Sequence, residues 1–124
     1  MFVATIQAMR RWFLLALLFF VIAAAIGALL RLIYVVELPW LVFKPWLHAH
    51  SHVAMLGWLF TGLFIALLDQ DRRSVPSHAE RRFFVLALVA VAGMLVAFPL
   101  QSYGAWSIGF SVAHVLIGYG LVRI

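Results

Sequence analysis

The sequence predicts an all-α membrane protein, a transmembrane four-helix bundle, and three observations predict it. Hydrophobic residues make up 67% of the chain and charged residues 10%, against about 45–50% and about 25% in soluble proteins. Four apolar runs approach the ~20 residues that a helix needs to cross a bilayer core. The connections between those runs are short, and only one is strongly polar. The 124 residues are read as a single integral membrane domain, 1–124, with helices at about 12–34, 47–68, 82–100 and 106–123.

The first helix follows Arg10 and Arg11. Its core, Phe13 to Leu30, holds 18 residues without a charge, longer than the roughly 7–15 apolar residues of a secretory signal. It is therefore read as a span. The connection 35-VVELPWLVFKPW-46 carries Pro39 and Pro45 as breakers, and its Trp40 and Trp46 suit the interfacial belt. The second helix opens with 46-WLHAHSHVAMLGW-58. The polar connection 69-DQDRRSVPSHAERR-82 follows, in which Ser77 and Glu80 have the spacing of a capping box that would start the third helix. A tight uncharged turn, 101-QSYGAW-106, leads into the fourth.

Charge orients the bundle. Arg10, Arg11, Arg72, Arg73, Arg81, Arg82 and Arg123 fall on one side if the spans alternate, while Lys44 and Arg31 mark the other. The positive-inside rule then places both termini in the cytoplasm, as for a bacterial inner-membrane protein. The net charge of +5 has no interleaved polar stripe of the kind a nucleic-acid surface needs, so nucleic acid is not an expected partner. With no cysteine in the chain, thiolate ligands, iron–sulfur clusters and c-type haem attachment are excluded. A metal or haem would need histidine, methionine or oxygen ligands.

The histidines are the candidates. In this topology His48, His50 and His52 lie roughly 3, 6 and 9 Å below the outer surface, and His114 enters the fourth helix to roughly 12 Å. Two helices thus offer imidazoles at similar depth, one natural way to hold a six-coordinate haem in a bundle. His48 and His52 share a helix face. His50 points nearly opposite, above Ala54, Gly57 and Thr61. Gly57 and Gly118 would leave room for a flat macrocycle, or equally for close helix packing. Either His50 or His52 would pair with His114. Arg31, at the same level, would neutralise a haem carboxylate or simply snorkel to the interface beside Glu37. His78 is read as solvated, and Met55 and Met94 as packing.

The segments 27-GALLRLIYVVELPWLVFKPWLHAHSHVAMLGW-58 and 111-SVAHVLIGYGLVRI-124 resemble the haem–copper oxidase subunit I family, in particular its divergent relatives with an HAHSHVxxLGW motif. The resemblance implies a low-spin haem ligand in the second helix, haem carboxylates facing outward near an arginine, and His114 matching a family histidine. It does not extend to the copper-site helices, so no complete oxidase site is expected here. The leading expectation is a membrane subunit that binds b-type haem at His50, His52, His114, Arg31, Gly57 and Gly118, for electron transfer in a respiratory-type complex with other membrane subunits. Copper, held by His48, His50, His52 and His114, is the lesser cofactor candidate, and a histidine-bound pigment is a variant. The competing expectation is a cofactor-free accessory subunit of a larger respiratory or photosynthetic complex. A proton or metal-ion path through the three histidines comes third, because no acid lies inside a span to continue it.

Overall fold

The computed structural model describes residues 2–70 and 76–123, with side-chain surroundings for 9–68 and 76–123. Arg72 and Arg73, two of the orienting arginines, lie outside the described residues. Helix α1 (Phe2–Leu32) is followed by a single long rod composed of α2 (Phe43–His52), a π-helical stretch (Val53–Phe60) and α3 (Thr61–Gln70). Helices α4 (His78–Gln101) and α5 (Ala105–Arg123) complete the bundle. Four helices are long and apolar enough to cross a membrane: Met9–Leu32, Phe43–Leu68, His78–Gln101 and Ala105–Arg123. The fold is an all-α bundle, and the chain is an integral membrane protein.

Helix starts depart from the expected boundaries for local reasons. The second span begins at Phe43 rather than 47, so Pro45 sits in its first turn. Amides there have no intrahelical acceptor, and proline's missing N–H costs nothing. The third span begins at His78 rather than 82, directly after Ser77 of the expected capping box. The Ser77 hydroxyl accepts from the Glu80 amide at 3.1 Å, and the Glu80 carboxylate accepts from the Ser77 amide at 2.5 Å. Between α4 and α5, Ser102 takes φ 54°, a conformation that favours glycine. Its carbonyl accepts from the Ser107 hydroxyl, which ties the turn to the first turns of α5.

The π-helical stretch has a packing reason. Ala49, Val53, Thr61 and Ile65 are buried, as is Gly57 between them. They form a strict four-residue repeat. On an α-helix of 3.6 residues per turn, each step of four drifts by about 40°, so Ala49 and Ile65 would stand about 160° apart. The π turn takes more residues per revolution. It cancels much of the drift and keeps the whole stripe against the bundle. The Thr61 hydroxyl donates to the Leu56 carbonyl five residues back, in keeping with that wider register.

The central rod touches both α1 and α4, and α5 packs on α4. Among the described residues, the main interhelical packing does not include a pairing of α1 with α5. The core is layered along the bundle. At the arginine end Trp12 stacks on Phe84 at 4.0 Å between ring centroids, with Ala16 and Ile65 beside them. Phe19, Ala23, Ala49, Val53, Val91, Met94 and Phe98 fill the middle. Ile26, Leu30 and Leu41 close the histidine end. Outward faces are apolar, as at Leu18, Leu63, Val96 and Val122. In hydrocarbon such exposure carries no penalty, and packing and polar contacts hold the helices together.

Candidate functional site

The histidines divide into two groups facing opposite neighbours. His50 turns toward α1. Its Nδ1 lies 2.9 Å from the Ala23 carbonyl oxygen, which can only accept, so Nδ1 carries the proton and donates. The Nε2 lone pair is thereby left free. A histidine held in this way by a backbone carbonyl is set up as a ligand, with ring orientation and tautomer both fixed. Gly27, one turn along α1, makes room for the ring: a Cβ there would stand 3.0 Å from His50 Cε1.

Beside this ring is an open pocket between α1 and α2, of about 790 Å³, lined by Gly27, Ala28, Leu30, Arg31, Tyr34, Phe43, Leu47 and His50. Its size falls within the range of about 300–1,000 Å³ typical of small-molecule and cofactor sites. The lining combines apolar walls, one imidazole and one guanidinium. Tyr34 stands at the rim, edge-on to Phe43 with 6.2 Å between centroids. The pocket brings His50 and Arg31 together, two of the residues singled out by sequence.

His48 and His52 face α4 instead. The His52 Nδ1 donates to the His48 carbonyl at 2.8 Å, and its ring lies 4.5 Å from that of Phe98. The His48 Nδ1 is 3.1 Å from the Tyr103 hydroxyl, and its ring also adjoins Phe98. His114 is buried, with its ring edge-on to Phe60 at 5.0 Å. The Nε2 atoms of His48 and His114 are buried without a hydrogen-bond partner among the described residues. Such groups are uncommon, and ordered water is their usual partner.

His50 meets the Ala23 carbonyl of α1, whereas His52 adjoins Phe98 and His114 adjoins Phe60. The structure does not bring Gly57 and Gly118 into the pocket. A Cβ on Gly57 would stand 2.9 Å from the Phe19 ring, and Gly118 lies against Phe60. The small residues there admit aromatic neighbours from the chain itself. Among the described residues, no group of three or more histidine, aspartate or glutamate side chains converges as a metal site. His48, His50, His52 and His114 therefore do not form a common four-histidine set.

Sequence reasoning missed the Ala23 carbonyl, Gly27 and Tyr103. Gly27 offered a visible signal, lying one turn before Arg31 on the α1 face that meets His50. The carbonyl offered none, since any residue supplies one. Together these features define an all-α integral membrane protein with a histidine- and arginine-lined pocket at one end of the bundle. No protein-family model, curated protein or solved structure matches the chain. The family resemblance stands on the quoted residues alone.

Proposed function

We propose that this chain is a membrane subunit that binds a b-type haem in the α1–α2 pocket, for electron transfer within a respiratory-type complex of the bacterial inner membrane. The observation that carries this reading is the His50 ring, tied through Nδ1 to Ala23, beside a pocket that Arg31 also lines. His50 would be an axial ligand through Nε2. Arg31 would face the haem carboxylates, which the positive-inside orientation turns toward the outer surface. When bound, the haem supplies a one-electron couple, with its potential tuned by axial ligand and burial. Copper is less well supported, because the four histidines point to different neighbours.

The test is the absorption spectrum of the protein purified from its native membrane in mild detergent. A Soret band that His50→Ala abolishes and His114→Ala leaves intact supports the reading. Protein without haem sinks it. The cofactor-free accessory reading is favoured by a separate observation: Gly57 and Gly118 admit the Phe19 and Phe60 rings of the chain itself rather than a cofactor. Under that reading, replacing His50, His52 and His114 together leaves both assembly and spectrum unchanged.

A further inference from the structure

We propose that the arginine end of the bundle is a binding site for an anionic phospholipid, whose phosphate is held by guanidiniums from the starts of α1 and α4. Arg10 and Arg11 open the first span, Arg81 and Arg82 lie in the first two turns of α4, and Arg123 ends α5. All five are exposed. Side-chain packing gathers them at one end. The stack of Trp12 on Phe84 joins the start of the first span to the start of α4. It carries Arg11, the neighbour of Trp12, and Arg81, one turn before Phe84, to the same seam. On the other flank Gly120 lies against the Phe83 ring, where a Cβ would stand 2.6 Å away, and Arg123 follows one turn later.

Charge and chemistry select the ligand. By sequence this end holds four of the chain's five net positive charges, since seven arginines there meet three acids. Of those acids, Asp69 and Asp71 lie outside the described side chains, and Glu80 is buried with its carboxylate on the Ser77 amide. Membrane orientation requires only positive charge, which lysine supplies equally well. Yet the chain's one lysine is Lys44, at the histidine end, and every basic residue at this end is arginine. Arginine differs in its planar fork of donors, which takes two phosphate oxygens at once. A zwitterionic headgroup adds a cation that the cluster repels, so a lipid of net negative charge is favoured. Next to the arginines along the same two helices, Phe13, Leu14, Val85 and Leu86 are exposed. They give the acyl chains an apolar face, which favours a membrane lipid over a soluble phosphate compound. The site lies at the opposite end from the His50 pocket and does not depend on haem binding there.

The experiment is native mass spectrometry of the full chain, purified in mild detergent and stripped of lipid. Its probes are phosphatidylglycerol and phosphatidylcholine with matched acyl chains. Phosphatidylglycerol should bind saturably and more tightly than phosphatidylcholine. Arg11→Gln with Arg81→Gln should weaken it about 30-fold, from about fivefold per basic residue near an anionic surface. Arg11→Lys with Arg81→Lys keeps the charge, and with it the orientation, yet should still weaken binding several-fold because the fork is lost. Equal binding of the two lipids by the wild-type chain overturns the proposal. So do lysine variants that bind like wild type. Soluble glycerophosphoglycerol that binds as tightly as the lipid overturns the assignment to a membrane lipid.

Discussion

The contact between Gly27 and His50 yields a prediction whose sign depends on the background in which it is tested. In Gly27→Ala the new methyl carbon would stand 3.0 Å from His50 Cε1 and 3.5 Å from Nδ1. Ordinary carbon contacts are about 3.5–4.0 Å, so the ring must withdraw by roughly half an ångström. The Nδ1–O distance, now 2.9 Å, would open to about 3.4 Å, past the ~3.2 Å limit of a good hydrogen bond. Losing that bond costs about 1 kcal/mol. Alanine in place of a mid-helix glycine gains about the same. The two effects nearly cancel, so stability of the single variant says little. A double-mutant cycle separates them. With His50→Ala already made, Gly27→Ala meets no ring and should stabilise by about 1 kcal/mol. The coupling between the positions should thus be about 1 kcal/mol or more, measured by reversible unfolding in mixed micelles. Equal effects of Gly27→Ala in both backgrounds would falsify the proposed contact. Nitrogen NMR of His50 gives a second readout, since Gly27→Ala should weaken its preference for the Nδ1–H tautomer.

Two other positions test the start of α4 and its packing on α5. Ser77→Ala removes one half of the capping box and should destabilise the protein by about 1 kcal/mol, read from the same unfolding curves, while Ser77→Asp should largely restore it. In Gly93→Ala the new methyl would stand 2.6 Å from the Phe110 ring, forcing α4 and α5 apart at a cost of about 1–3 kcal/mol. Pairing it with Phe110→Leu should recover part of that loss, and additive losses would refute the proposed contact.

The four spans were legible because length and composition alone specify them. The capping box was legible because its two side chains lie three residues apart and bond each other's backbone. The angular separation of His50 from His48 and His52 was legible too, since 100° per residue turns them to different sides. What the sequence left open was the neighbour on each side. Helices apolar around their whole circumference carry little directional signal, so nothing in the pattern placed α1 and α5 apart. His50 and His114 accordingly meet neighbours that the pattern did not name, the Ala23 carbonyl and the Phe60 ring. Gly57 and Gly118 were ambiguous for a related reason: a small residue records that something approaches closely, without saying whether it is a ligand or a side chain such as Phe19 or Phe60. The buried Ala49–Ile65 stripe was not read from the sequence, which grouped Gly57 and Thr61 with His50 and Ala54. Its meaning depended on a change of hydrogen-bond register that no local residue chemistry spells out.

That register change makes the second span a shaft with its two halves set in phase. Above Val53 the rod aims His50 at α1 and His48 and His52 at α4. Below Phe60 it aims Thr61 and Ile65 into the bundle. Deleting one residue within the π stretch would turn one half against the other by somewhat less than the ~100° per residue of an α-helix. Composition, hydropathy and the number of spans would hardly change, and such a chain would still insert in a membrane. Its histidines would then be addressed to the wrong helices whenever the lower half was correctly seated. Two chains with the same four hydrophobic runs can thus differ entirely in whether they contain this pocket, and the difference would rest on a count of residues between Val53 and Phe60.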